Sequence, residues 1–326
     1  MGEFDLIARY FRHPVRRAAL GVGDDCALLR IASGHQLAVS SDMLVQGRHF
    51  LEGADPRDLG HKALAVNLSD LAACGAQPLA FTLALALPAA DPLWLEPFAQ
   101  GLLALARAHE CELVGGDTTA GPLNICITVF GEVPAADGAS QALLRSGARP
   151  GDDIYVSGTL GDARLALESL RGQWTLPSAL LDVATRRLHQ PTPRVALGMA
   201  LRGLASAAID ISDGLLGDLG HVLEASGVGA RVQLAAPGQL LACGGEALDA
   251  CVPQSHQLAC VLAGGDDYEL AFTAAPGQRD AVAAAARTSA TPVTRIGRIE
   301  SEPDIRLLGA LGEPLRGDWR SFDHFS

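Results

Sequence analysis

The chain is almost without lysine: Lys62 stands alone, and the rest of its 25 basic residues are arginine. Against 37 acidic residues they leave a formal net charge of −12, which argues against a nucleic-acid partner, since neutralising a phosphate backbone takes clustered Lys and Arg. No uncharged apolar run of 18 residues is present to cross a bilayer, although mean hydropathy is high at +0.21. The start, MGEFDLIARYF, carries acids where a secretory leader needs a basic and then an apolar stretch, so a cytoplasmic location is expected. The seven cysteines (Cys26, Cys74, Cys111, Cys126, Cys243, Cys251 and Cys260) are odd in number, dispersed and without a CxxC pair, and read as buried thiols. Also lacking are G-x-x-x-x-G-K-[ST], a strand followed by G-x-G-x-x-G, the protein-kinase catalytic set, H-E-x-x-H, G-x-S-x-G and the EF-hand loop. Lys62 lies in Leu59-Gly60-His61-Lys62-Ala63, which is no phosphate loop.

What is present is a chain able to bury a large core. Hydrophobic residues make up 48% and charged residues 19%, which excludes disorder, and 326 residues suit two domains. Glu3 to Phe11 has helical spacing, and Gln36 to Ser40 reads as a short strand followed by polar Ser40-Ser41-Asp42. Asp55-Pro56 and Asp91-Pro92 each open a helix, with Asp as N-cap and Pro at the first helical position; the first stops at Gly75 and the second near His109. Leu79 to Leu87 is an apolar run expected as a buried strand, and Glu112–Val114 and Asn124–Val133 are strands flanking a loop at Gly115–Thr119.

The turn-rich stretch Pro134 to Ser140 then suggests a boundary, giving an N-terminal domain over 1–138 and a C-terminal one over 139–326. Beyond it, strands are expected at Ile154–Ser157, Ala207–Ile211, Ala230–Leu234, Leu270–Thr273 and Val293–Ile299. Helices are expected at Ala163–Leu170, Ala196–Leu204, Gly214–Ala225 and Arg279–Ala286.

The acids are unevenly placed. Asp24-Asp25, Ser40-Ser41-Asp42, Gly116-Asp117-Thr118, Asp210-Ile211-Ser212-Asp213-Gly214 and Asp266-Asp267 sit at expected strand ends, and Asp70 joins them from helical sequence. Taken singly, each also reads as a turn or a helix N-cap. Together they point to Mg²⁺, because neighbouring carboxylates repel unless a cation intervenes and hard oxygen donors suit that ion. With no phosphate loop, any phosphate handled here depends on metal ions and a few arginines, of which Arg145 in Leu144-Arg145-Ser146-Gly147 is the best placed.

These residues carry a resemblance. Gly21-Val22-Gly23-Asp24-Asp25-Cys26-Ala27, Ser40-Ser41-Asp42 with His49-Phe50, and Lys62 through Asp70 resemble the thiamine-monophosphate kinase family. So do Gly115 through Thr119, Ile209 through Gly214, Gly264 through Leu270 and the tail Asp318-Trp319, in the same order from residue 3 to residue 325. The family belongs to the aminoimidazole ribonucleotide synthetase superfamily. The resemblance implies a two-domain fold, α+β and pairing across a homodimer in the N-terminal half, α/β in the C-terminal half. It implies ATP-dependent phosphorylation of thiamine monophosphate to thiamine diphosphate. Carried over by motif, Asp25, Ser40, Ser41, Asp42, Asp70, Asp117, Asp210 and Asp213 would hold several Mg²⁺ ions. Gly116, Asp117, Arg145 and Ser212 would contact ATP, and His49, Asp266 and Trp319 the thiamine monophosphate.

Two positions depart from the family pattern: Ser41 stands where Thr is common, and Asp266 where Glu is frequent, one methylene shorter. Since the acceptor is itself a phosphate, no strong general base or covalent nucleophile is required, and direct in-line transfer is expected. Other readings are an ATP-dependent ligase or selenophosphate synthetase of the same superfamily, the latter disfavoured because its N-terminal Cys with a nearby Lys is absent. A non-catalytic protein with structural Mg²⁺ or Ca²⁺ sites is the alternative from another class.

Overall fold

The computed structural model describes residues 2–136, 139–234, 237–319 and 321. The expected domain break at Gly138 and the end of the family-like tail at Phe325 lie outside them. By its contacts the chain divides into one unit of residues 1–71 and 76–141 and a second of 72–75 and 142–326. Each has its own sheet, as the two-domain reading expects.

The first unit opens on a short helix, α1 (Glu3–Leu6), prolonged by a wider turn to Phe11. Then follow β1 (His35–Val45), α2 (Pro56–Ala73), β2 (Gln77–Leu87), α3 (Pro92–Ala108), β3 (Glu112–Ala120), β4 (Asn124–Ala136) and the two-residue β5 (Ala139–Ser140). The strand order is β1-β4-β2-β3, with β5 on β4; only β2 and β3 run parallel. Both Asp-Pro starts hold: Asp55 Oδ1 accepts from the amides of Arg57 and Asp58 (2.8 and 3.2 Å), and Asp91 Oδ1 from Leu93 N (2.9 Å). Helices α2 and α3 cross where neither has a side chain, since a Cβ on Gly60 would collide with Phe98 O and one on Gly101 with Arg57 O.

Two expectations are corrected here. The polar triplet Ser40-Ser41-Asp42 does not follow β1 but lies within it, paired to Val129, Thr128 and Ile127 of β4. Gly115–Thr119 is likewise no loop: it is strand, paired with Thr82–Ala86 of β2 after a bulge. Both β1 and β3 are edge strands, and an edge with one solvated face tolerates polar residues that a central strand would not. Gly116 takes φ +146°, and any Cβ there would strike Leu83 O.

The second unit runs β6 (Asp153–Ser157), α4 (Asp162–Leu170), α5 (Ser178–His189), α6 (Val195–Ala200), β7 (Ala205–Ile211), α7 (Leu215–Ser226) and β8 (Gly229–Gln233). It continues with α8 (Glu246–Asp249), α9 (Gln254–Ala263), β9 (Glu269–Ala274), α10 (Arg279–Thr288), β10 (Val293–Glu300) and β11 (Ile305–Leu308). Its six-stranded sheet has the order β11-β8-β10-β6-β9-β7, parallel only between β11 and β8. The strands β6 and β9 are buried along their whole length. Ile154, Val156, Ile209, Leu219 and Val261 contribute to a core that helices cover.

Helix α6 ends at Ala200, short of the expected Leu204. Of the cysteines, Cys111, Cys243 and Cys260 are buried thiols as expected, while Cys74, Cys126 and Cys251 are only half-buried and Cys26 is exposed, so the reading of all seven as buried does not hold for these four. Burial pushes the Cys260 thiol up to about 12, so it packs as an uncharged group. No helix among the described residues is long and apolar enough to cross a membrane.

Candidate functional site

In the first unit the alternation of β1 decides which donors meet. Ser40 and Asp42 share one face and Ser41 the other. On the first face Ser40 Oγ donates to Asp70 Oδ2 (2.5 Å), and the Asp42 amide donates to Asn67 Oδ1 (3.1 Å). Asn67 and Asp70 lie three residues apart on α2, hence on one side of it. Asn67 is buried, and its amide is fixed by donating to Ala63 O (2.9 Å). One helix therefore sets both a carboxylate and the strand that carries Asp42. The Ser41 hydroxyl is not brought to this group: it lies on the opposite face, bonded to Ile127 O and Thr128 Oγ1 (3.1 and 3.0 Å).

The other residues singled out in this unit are more exposed. Asp25 is in a turn, its amide held by Asp24 Oδ1 (2.9 Å). Asp117 stands exposed on β3 beside Gly116, whose positive φ only glycine adopts readily. His49 sits in the turn after β1, where its Nδ1 accepts from Val45 N (3.0 Å), which places the proton of the neutral ring on Nε2.

In the second unit a separate set assembles where β7 and β9 open into loops. Asp210 is buried near the end of β7, and Ser212 and Asp213 follow it before α7. The Asp266 amide donates to Ser212 O (2.7 Å) and the Tyr268 amide to Ile211 O (2.8 Å), so the loop from α9 into β9 is bonded to the loop from β7 into α7. Ser212, Asp213 and Asp266 are thereby gathered on two adjoining loops, next to Asp210 at the end of β7. Arg145 is exposed in a segment alongside β7: Leu144 O accepts from Ala208 N (2.9 Å), and Ser226 Oγ accepts from the amides of Gly147 and Ala148. Trp319 is half-buried against this unit's core, and the tail after it is pinned by Ser321 Oγ accepting from Gly217 N (2.9 Å).

Two residues that organise the donors were not singled out in the sequence. Asn67 is one. The other is Asp218, whose Oδ2 accepts from three consecutive amides, Ser212, Asp213 and Gly214 (3.0, 3.1 and 3.1 Å). Burial, then the nearby Asp213 charge, push the Asp218 carboxyl up to about 7 in spite of those amides. The signal available was a carboxylate in the first turn of a helix just after Asp-Gly. Both donor groups are built of carboxylate and hydroxyl oxygens, a hard set that fits Mg²⁺ and not a thiophilic ion.

Similarity to known proteins covers the whole chain. The N-terminal domain of AIR synthase related proteins matches residues 23–133 and the C-terminal domain residues 149–309. A thiamine-monophosphate kinase from Escherichia coli K12 is 46% identical over 329 residues, covering 100% of this chain and 98% of the relative. The crystal structure of thiamine-monophosphate kinase from Stenotrophomonas maltophilia K279a superposes with a TM-score of 0.82 at 44% identity, covering 96% of each chain. AaThiL, solved in complex with AMPPCP and TMP, gives a TM-score of 0.73 at 28% identity over 90% of this chain and 89% of that one.

Proposed function

Since the chain belongs to the thiamine-monophosphate kinase family and is a kinase of the AIR synthase superfamily, we propose that it transfers the γ-phosphoryl group of ATP to thiamine monophosphate, giving thiamine diphosphate. The observation that carries this reading is end-to-end likeness at 46% identity to a kinase named for that substrate. A relative solved with an ATP analogue and TMP supports the pair of ligands.

Asp25, Ser40, Asp42, Asp70 and Asp117 in the first unit, and Asp210 and Asp213 in the second, would hold Mg²⁺; Ser41 would do so through its backbone, given where its hydroxyl lies. When bound, those ions would offset the charge of two phosphate groups that repel each other. The chain's own contribution is placement. Asp218 fixes the amides of Ser212 and Asp213, Asn67 fixes the strand at Asp42, and Arg145 and Gly116 would receive the nucleotide's phosphates. His49, with its proton on Nε2, would donate to the acceptor, and Asp266 and Trp319 would receive the thiamine moiety. The acceptor oxygen is already ionised, so no side chain need take a proton and transfer is direct and in line. The reading places most of the metal donors in residues 1–138, the protein in the cytoplasm, and two copies together through the exposed face of β1.

The test is product analysis with purified protein, ATP, Mg²⁺ and thiamine monophosphate, beside Asp42→Asn. Thiamine diphosphate formed one for one with ADP, and lost in the variant, is the expected result. ATP consumed without thiamine diphosphate would refute the acceptor. No turnover, with Mg²⁺ bound in the absence of nucleotide, would refute the kinase reading in favour of a structural metal site.

A further inference from the structure

Four non-glycine residues among those described have positive φ: Glu110, Asp266, Tyr268 and Ala290. Glu110 and Ala290 follow the last residues of α3 and α10, where a left-handed residue ordinarily ends a helix. Asp266 (φ +64°) and Tyr268 (φ +53°) have no such reason, since α9 has already ended at Ala263. Two unfavourable backbone conformations within three residues persist only where the surroundings over-determine them.

The surroundings do so from both sides. On one side are the two backbone bonds to Ser212 and Ile211, with Gly265 so close that a Cβ would stand 2.7 Å from Ser212 O. On the other, the buried Asp267 carboxylate accepts from Gly161 N (2.9 and 3.0 Å). Glu269 is wholly buried and gripped by two guanidinium groups: Arg187 Nη2 at 2.6 Å, and Arg194 through Nε and Nη2 at 2.6 and 2.5 Å. Ser157 Oγ donates to it as well (2.5 Å). Arg187 Nη2 also reaches Asp267 O (3.4 Å), so one guanidinium spans the Tyr268 turn from the carbonyl before it to the carboxylate after it. Its Nε finds no hydrogen-bond partner among the described residues, a buried donor left unmatched by this grip.

A buried ion cluster of this kind is weak evidence for stability, because desolvation consumes most of the attraction. Its geometry is what it supplies. We propose that Glu269, held by Arg187 and Arg194, is a positioning residue that keeps the Asp266–Tyr268 turn in its strained form and so presents Asp266 to the acceptor. This rests on the reading above that Asp266 contacts thiamine monophosphate. Glu269 itself, buried behind the turn, touches neither substrate. Relaxing the grip lets the two positive-φ residues revert, which moves the Asp266 carboxylate while leaving its charge in place.

The experiment is steady-state kinetics of Glu269→Gln, which keeps the shape and removes the charge, with thermal unfolding in parallel. The expected result is a KM for thiamine monophosphate raised about tenfold, with kcat and the KM for ATP changed less than about threefold, as for loss of ground-state placement of one substrate. Arg194→Lys keeps the cation and loses the two-pronged contact; it should shift the same constant by a smaller factor, and it gives the answer if Glu269→Gln does not fold. An unchanged KM for thiamine monophosphate, or losses in kcat and in both KM values that follow the unfolding temperature, would overturn the proposal. A wild-type protein that forms no thiamine diphosphate would instead refute the function itself.

Discussion

Asp218 sits in the first turn of α7, and one of its oxygens receives the amides of Ser212, Asp213 and Gly214 in succession. The sequence offers Asp213-Gly214 as the cap of α7, and the structure assigns the work to Asp218: Asp213 gives its amide to the Asp218 carboxyl. Replacing Asp218 by Ala strands three amides at a nearly closed site, partly offset by removal of a buried carboxylate, and should cost about 2 kcal/mol in urea unfolding. Asp218→Asn retains an acceptor oxygen and should cost less. Equal stability of Asp218→Ala and wild type would show that the loop is held by its bonds to Asp266 and Tyr268 instead. The side chains legible in the sequence were those with several acids close together; Asn67 and Asp218 were not, because a single polar residue on a helix has no pattern until its partner strand or loop is in place.

At the level of elements, sequence signals worked where one residue pair decides the outcome, as in the Asp-Pro helix starts. They fell short at β1 and β3, whose polar halves lie on sheet edges. They also missed α5, whose apolar positions Leu180, Leu181, Ala184 and Leu188 are interrupted by Arg186-Arg187. Arg187 breaks the amphipathic pattern because it turns inward to Glu269, so the residue that hid the helix is the one tied to the strand that follows the Asp266 turn.

The segment before β1 shows how a long, weakly patterned stretch is fastened. Glu112, the first residue of β3, accepts from the amides of Arg16, Arg17 and Ala18 (2.6 to 3.1 Å). Burial alone would raise its carboxyl, but the three amides and the Arg17 charge outweigh it and hold Glu112 below its usual 4.5. A carboxylate with a depressed folded value stabilises the fold above its unfolded value and loses that contribution as pH falls through the folded one. Glu112→Gln should therefore be about 1 kcal/mol less stable than wild type at pH 7, a modest figure because the site is solvent-screened. The gap should close as the pH falls below about 4.5, and a gap independent of pH would mean that shape and not charge holds the segment.

For the molecule as a whole, the division into two units was legible from length and from the turn-rich stretch after β4, though the contacts place the change of unit between Gln141 and Ala142 and assign residues 72–75 to the second unit. The expectation of self-association comes only from the family resemblance, since a strand with apolar residues on both faces says nothing about what covers them. The structure gives the expectation a physical basis. Leu37, Val39 and Met43 lie on the face of β1 away from Ser40 and Asp42, and they are 44%, 56% and 52% exposed. Phe130 and Cys126, cross-strand from Val39 and Met43, extend that face onto β4. Ser41 and Thr128, bonded to each other, interrupt this face at its centre; even so, exposed apolar residues on an outer strand make an interaction surface or an aggregation hazard, and a second copy of the same face is self-complementary under a two-fold axis. Val39→Glu adds a charge where the isolated chain leaves the side chain in water, so folding should survive and the circular dichroism spectrum should be unchanged. Two copies brought together would then bury like charges, and sedimentation velocity should show wild-type dimers giving way to monomers. A variant that stays dimeric would place the contact elsewhere, and a monomeric wild type would remove pairing from the account of this protein.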